Sequence, residues 1–426
     1  MLVKKLYLDK LDSEPLRICL LSYRSNPKCG GQGVYIKNLS RSLKDLGHYV
    51  EVISGPPLPN IDADIPLTEL KSLDLYNPNN LFRTPDLYEL MDLVNFIEWV
   101  GVSTMGFPEP YTFGIRAFRY LRKRLHHFDI VHDNQCLSYG IQSLSNYIPT
   151  IATIHHPITM DRQIDIRSVR SLWKKFKWVR WYSFIGMQKH VARKLHGLIT
   201  VSEASKQDIS REFKIASDKL HVVPNGITTE LFYPIPEIKR QPGRIIVTNS
   251  AVTPLKGLYY LLQAIATIAK LRHIHLIVVG TLKKDSGIDR LIKQLHIGKY
   301  VTFTGYISHE EYVRQYALAS IAVVPSVYEG FGLPVGEAMA CGIPVICTTG
   351  GALPEVAGKC AFLVPPKDVN ALTQAIMDLL SNPAYAETLG KCGYQRIVNH
   401  LTWEKAAINT VSYYRHVIRN FHEGTR

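Results

Sequence analysis

The chain has 426 residues, which at roughly 150 per domain is enough for two or three domains. Hydrophobic residues make up 46% and charged residues 20%, a globular composition that excludes disorder, collagen-like repeats and a multi-span membrane protein. Basic residues outnumber acidic ones by 50 to 36, for a net charge of +14; this favours anionic partners (sugar nucleotides, phospholipid surfaces or nucleic acid) without choosing among them.

Short β-rich apolar runs alternate with longer stretches of helical period, the pattern of parallel sheets flanked by helices. In the first half, strands are expected at residues 16–23, 49–54, 129–132, 150–154, 198–201 and 221–223, with helices at 33–46 and 113–125. A Pro- and charge-rich stretch at 233–243 is the expected domain boundary. Beyond it, strands are expected at 244–249, 275–279, 301–304, 321–325, 344–347 and 361–364, with helices at 257–271 and 336–340. Two such halves imply an α/β protein of two doubly wound domains facing across a cleft, with ligands bound beyond the carboxyl ends of the strands.

The N-terminus carries charges where a signal peptide would need its apolar core. No uncharged stretch reaches the ~18–20 apolar residues of a membrane span, so the expectation is a cytoplasmic protein, at most peripheral to a membrane. The seven cysteines include no CxxC pair and sit mostly in apolar runs. They are expected to be buried, unpaired thiols in a reducing compartment.

Two glycine-rich turns carry the candidate chemistry. Gly30-Gly31-Gln32-Gly33 stands between the first strand and its helix, where unpaired backbone N–H groups can meet a phosphate. Its glycine spacing does not match the G-x-G-x-x-G of a nicotinamide site, although Glu51 lies about where a ribose-binding acid would be. The more specific segment is Glu329-Gly-Phe-Gly-Leu-Pro-Val-Gly-Glu337, after the apolar strand ending in Val324-Pro325-Ser326. Gly330 and Gly332 flank Phe331 and free the amides of Phe331, Gly332 and Leu333 to face a ligand. Glu337 falls in the first turns of the next helix, placed to accept ribose hydroxyls while Glu329 reaches the sugar.

These segments resemble the family 4 retaining glycosyltransferases of the GT-B fold, whose E-x7-E signature matches Glu329 to Glu337. Further matching segments are Ile199-Thr-Val-Ser-Glu203, Val223-Pro-Asn-Gly226, Pro254-Leu-Lys-Gly257, Gly350-Gly-Ala-Leu-Pro-Glu355, Leu363-Val-Pro-Pro-Lys-Asp368 and Leu401-Thr-Trp-Glu404. They follow the family's order over nearly the whole chain. The resemblance implies an acceptor-side Rossmann-like domain at 1–238, a nucleotide-sugar-binding one at 239–404, and a C-terminal helix at 405–426 returning to the first. It implies Glu329, Lys256 and His155 as catalytic residues. Gly31, Gly33, Phe331, Gly332, Leu333, Glu337 and Tyr306 would bind the donor. Lys256 would contact the donor diphosphate and His155 its sugar, with His156 and His132 as neighbouring candidates. Tyr306 would meet the nucleobase or pack between domains, and Glu355 would be a ligand or a helix cap. The sequence departs from the family at Ala251, where many members carry an arginine for the diphosphate.

The implied activity is transfer of a hexose from a UDP- or GDP-sugar to a glycan or lipid-linked acceptor hydroxyl. A sugar-nucleotide 2-epimerase of the same architecture and a non-catalytic membrane-binding module are the alternatives. No metal is expected: Asp62-Ala-Asp64 has the spacing of a metal motif but lies in a proline-bounded loop, and no His/Cys cluster has zinc spacing. The segment from Arg167 to Leu195 mixes nine bases with six aromatics and no acid, and 116–124 adds five bases, which suits an anionic membrane surface. No nucleic-acid motif accompanies them.

Overall fold

The computed structural model describes residues 14–26, 31–77, 80, 83–169, 171–248 and 254–424. Cys29, Gly30, Arg170 and Ala251 lie outside these. The chain divides into two compact units. One comprises Met1–Val201, Ser205–Val223 and Ala406–Arg426, the other Ser202–Ala204 and Pro224–Lys405.

In the first unit β1 (Arg17–Ser22) leads to α1 (Gly31–Asp45), β2 (Tyr49–Ser54) and β3 (Leu67–Glu69). Helices α2 (Leu87–Leu90), α3 (Leu93–Ser103) and α4 (Glu109–Leu121) precede β4 (Ile130–Asn134), α5 (Tyr139–Ser145) and β5 (Thr150–Ile154). Then come α6 (Thr159–Ser168), α7 (Leu172–Trp181), α8 (Ile185–Ala192), β6 (Gly197–Thr200), α9 (Glu203–Phe213) and β7 (Leu220–Val222). The seven strands form one sheet in the order β3-β2-β1-β4-β5-β6-β7. Every pairing is parallel. Burial on both faces explains why strands such as Thr150–Ile154 are continuously buried rather than alternating.

The second unit repeats the plan: β8 (Arg244–Thr248), α10 (Leu258–Ile268), β9 (His275–Val279), α11 (Gly287–Gln294), β10 (Val301–Phe303) and α12 (His309–Leu318). It continues with β11 (Ile321–Val324), α13 (Leu333–Ala340), β12 (Val345–Thr348), α14 (Leu353–Ala357), β13 (Phe362–Val364), α15 (Val369–Ser381) and α16 (Pro383–His400). Its parallel sheet has the order β10-β9-β8-β11-β12-β13. This is the doubly wound arrangement in which winding reverses between the first and fourth strands, here β8 and β11. Helix α17 (Trp403–Gly424) starts in this unit and belongs to the first from Ala406. There Tyr413 accepts a hydrogen bond from the Leu198 amide at 3.2 Å.

Three expectations are corrected. The helix expected at 113–125 runs Glu109–Leu121, because Pro110 sits in its first turn, where proline's fixed φ and missing N–H cost nothing. Between residues 55 and 112, where the sequence suggests no element, lie β3, α2 and α3. Strand β3 has three residues, and α2 and α3 start at the polar N-caps Asp86 and Asp92 rather than at apolar periodicity. Finally, Cys360 and Cys392 are joined as a disulfide, with Cα atoms 5.3 Å apart. Residues 32 apart are brought together when α16 packs beside the turn before β13, a proximity that no spacing rule encodes. Cys19, Cys136, Cys341 and Cys347 are buried free thiols.

Candidate active site

In the second unit, the switch between β8 and β11 sets two loops side by side. The turn after β8 ends in the single helical turn Pro254–Lys256, and its Leu255 carbonyl accepts the Val327 amide at 2.7 Å. Gly257 follows with φ +68°, and a Cβ there would stand 1.9 Å from the Pro325 carbonyl oxygen. Only glycine allows this approach, so the position fixes where Lys256 emerges. Lys256 Nζ donates to Glu329 Oε1 at 2.8 Å, and Ser326 Oγ donates to the same oxygen at 2.7 Å. Both bonds fall on Oε1, so Oε2 keeps its capacity to accept. An ammonium has three protons, and that of Lys256 remains partly exposed.

The Glu329 backbone is held from the turn between β12 and α14. Ala352 donates its amide to the Glu329 carbonyl at 2.9 Å. Gly332, with φ +103°, caps α13, so that Phe331 is buried and Leu333 begins the helix. Glu337, one turn on, stays partly exposed but is surrounded by enough protein that desolvation raises its pKa to about 7. The Tyr312 hydroxyl, which donates to its Oε2 at 3.0 Å, and the charge of Lys256 oppose that shift. Tyr312 also lies 2.8 Å from Thr248 Oγ1 and 2.9 Å from the Tyr316 hydroxyl. Its one proton is committed to the carboxylate, so these neighbours donate to its oxygen.

Two other candidates have different surroundings. Tyr306 follows β10 at the sheet edge and is 95% exposed. Glu355 is a cap: it accepts the amides of Glu203 at 2.7 Å and Ala204 at 2.8 Å, at the start of α9. Within the same unit Ser202 Oγ donates to the Gly330 carbonyl at 2.7 Å, tying the Glu329 loop to residues 202–204.

In the first unit the corresponding switch lies between β1 and β4. A Cβ on Gly33 would come 2.5 Å from the Asn26 carbonyl oxygen, whereas one on Gly31 would meet open space. His155, just past β5, donates its amide to Gln135 Oε1 at 2.9 Å. Its Nε2 lies 2.8 Å from Asn134 Oδ1, and its ring packs edge-on to Tyr35 with centroids 4.7 Å apart. Asn134 Nδ2 donates to Ser22 Oγ and the Gln32 carbonyl, which turns its oxygen toward the histidine. Desolvation, then the neighbouring His156, lowers the His155 pKa to about 3. The ring is therefore neutral, with Nε2–H donating and Nδ1 holding a lone pair.

His156 pairs instead with Asp161 at 2.8 Å. His132 is a structural residue: it is fully buried within β4, its Nδ1 2.5 Å from the Tyr414 hydroxyl of α17 and its Nε2 2.7 Å from Thr153 Oγ1. Glu51 pairs with Arg124 at 3.2 Å. Asp62 and Asp64 form ion pairs with Arg41 and Lys44. Among the described residues, no three His, Cys, Asp or Glu side chains are grouped to hold a metal.

Sequence reasoning missed Ser326, Tyr312, Thr248, Asn134 and Gln135. The one available signal was a tyrosine pair at i, i+4 (Tyr312 and Tyr316), which puts both rings on one face of α12.

Two doubly wound parallel sheets with these loops at their switch points define the GT-B fold. The solved structure of sucrose-phosphate synthase from Thermosynechococcus elongatus shares this fold, with a TM-score of 0.72 and 25% identity, covering 94% of this chain and 98% of that one. The model for Glycosyltransferase Family 4 matches residues 29–231, and that for Glycosyl transferases group 1 matches 234–396. An MMP α-(1→4)-mannosyltransferase from Mycolicibacterium hassiacum is 44% identical, over 95% of this chain and 98% of its own. A D-inositol 3-phosphate glycosyltransferase from Streptomyces coelicolor is 25% identical, over 98% and 95%. The chain belongs to glycosyltransferase family 4 and is a glycosyltransferase.

Proposed function

We propose that the chain is a retaining mannosyltransferase that moves mannose from a UDP- or GDP-linked donor to a hydroxyl of a glycan acceptor, free or lipid-linked. The relative named for α-(1→4) mannosyl transfer supports the sugar and the α product. Membership of a glycosyltransferase family disfavours the epimerase and the non-catalytic module. The observation that carries the mechanism is the Lys256–Glu329 pair at the switch point of the second unit, with Glu337 on the following helix.

In this scheme the acceptor oxygen attacks the anomeric carbon on the face the diphosphate leaves. The bond from that carbon to the phosphate oxygen breaks with its electron pair going to the diphosphate, and the acceptor proton passes to a leaving phosphate oxygen. Lys256, with the amides of Phe331, Gly332 and Leu333, stabilises the charge that develops; no metal enters the scheme. Glu329 Oε2 orients a sugar hydroxyl, Glu337 binds the ribose diol, and Tyr306 offers a ring for the base to stack on. In the first unit, the Gly31–Gly33 turn offers amides, and His155 Nδ1 accepts a hydrogen bond from a sugar hydroxyl.

Lys256→Ala or Glu329→Ala should each lower transfer at saturating donor on the order of a hundredfold. Near wild-type turnover in either variant refutes the mechanism. An NMR assignment of an inverted anomeric linkage refutes retention, and a new nucleotide sugar formed without acceptor favours the epimerase.

A further inference from the structure

Helix α7 faces the wrong way for a helix of a water-exposed protein. It contains no buried residue. At about 100° per residue, Leu172, Phe176 and Val179 fall within an arc of about 60°. All three are exposed, Leu172 at 81% and Phe176 at 52%. Trp178 and Trp181, on the opposite side, pack against the core. An ordinary surface helix turns its apolar stripe inward; here a second apolar stripe points into solvent.

The flanks of that stripe are basic. Lys175 lies on one side, and Trp173 and Lys177 on the other. Trp173 stacks on Phe176 with centroids 5.6 Å apart, and Lys177 Nζ lies 5.7 Å from the Trp173 ring centre. Arg180 is committed elsewhere, donating to Thr104 and Ser183 at 2.9 Å, so it anchors the helix. From Arg167 to Leu195 no acidic residue balances these charges. A second exposed stripe, Leu93, Phe96 and Val100 on α3, begins beside Asp86, Glu89 and Asp92, which an anionic surface would repel. The chemistry therefore singles out α7.

We infer that α7 docks on an anionic lipid bilayer, with Leu172, Phe176 and Val179 entering the acyl boundary and Lys175 and Lys177 meeting lipid phosphates. Trp173 sits between them, at the depth where indoles prefer to lie. No helix among the described residues is long and apolar enough to cross a membrane, so this contact is peripheral. It is independent of the proposed reaction.

The test is co-sedimentation of the full chain with vesicles of phosphatidylcholine alone or mixed about equally with phosphatidylglycerol. Binding to the mixed vesicles, weakened by salt, with a blue shift of fluorescence that Trp173→Phe removes, is the expected result. Each lysine near such a surface strengthens partitioning about fivefold, so Lys175→Gln with Lys177→Gln should weaken it on the order of thirtyfold. Phe176→Ser should abolish the blue shift while leaving the thermal midpoint and transfer to a soluble acceptor unchanged. No binding to the mixed vesicles, equal binding to both, binding to heparin that matches the vesicles, or a dimer that Phe176→Ser dissolves would each overturn the inference.

Discussion

Tyr312→Phe tests the site through the Glu337 carboxylate that its hydroxyl contacts. Its hydroxyl donates to Glu337 Oε2 at 3.0 Å, and burial raises the Glu337 pKa to about 7. Between a usual value near 4.5 and about 7, the folded chain holds a proton that the unfolded chain has lost. The stability associated with Glu337 is therefore complete below about pH 4.5 and is lost as pH rises through 7, by roughly 3 kcal/mol at about 1.4 kcal/mol per unit. A ribose diol needs the ionised acceptor, so the donor KM should rise as pH falls below about 7, up to tenfold per unit.

Phenylalanine removes a hydrogen bond to a charged group, worth about 1.5 kcal/mol or one pH unit. The midpoint should move to about pH 8, and at pH 7 the donor KM should rise about fivefold. At pH 9 it should approach the wild-type value, with kcat little changed throughout. Initial rates across pH 6 to 9 with donor varied would measure this. A KM raised equally at every pH, or a wild-type KM with no acidic limb, refutes the assignment of Glu337 to the ribose.

Gly257→Ala should destabilise the second unit by about 2 kcal/mol or more, from the left-handed φ and the approach to the Pro325 carbonyl. Denaturant titration measures it, and transfer should fall as well because Lys256 is displaced. His132, held neutral by burial with a pKa of about 3, favours the fold above pH 6.5 and costs stability as pH falls. It should remove about 2 kcal/mol by pH 5, and His132→Gln should lower the acid-side slope of stability against pH by about one proton. Reducing Cys360–Cys392, or replacing Cys392 by Ser, opens a loop closed across 32 residues and should cost about 4 kcal/mol. An unchanged melting temperature under reductant would show that the cross-link does not stabilise the fold.

Sequence and tertiary structure each decided a distinct part of this protein. Strands such as Ile321–Val324, buried along their whole length, are legible from residues alone, because burial on both faces demands unbroken apolar runs. Gly257 and Gly332 are legible too, since a turn that requires positive φ selects glycine wherever the rest of the chain goes. The E-x7-E spacing places Glu337 on the helix that starts just after Gly332, so its approximate distance from Glu329 is local information.

What acts on those residues is not local. The oxygen that Lys256 shares with Ser326 lies 73 residues along the chain, and sheet order alone brings them together. The hydroxyls below Glu337 come from β8 and α12, the ring against His155 from α1, and the cysteine partner of Cys360 from α16. Side-chain periodicity tells which face of an element is buried, and only packing decides which side chain of another element meets it.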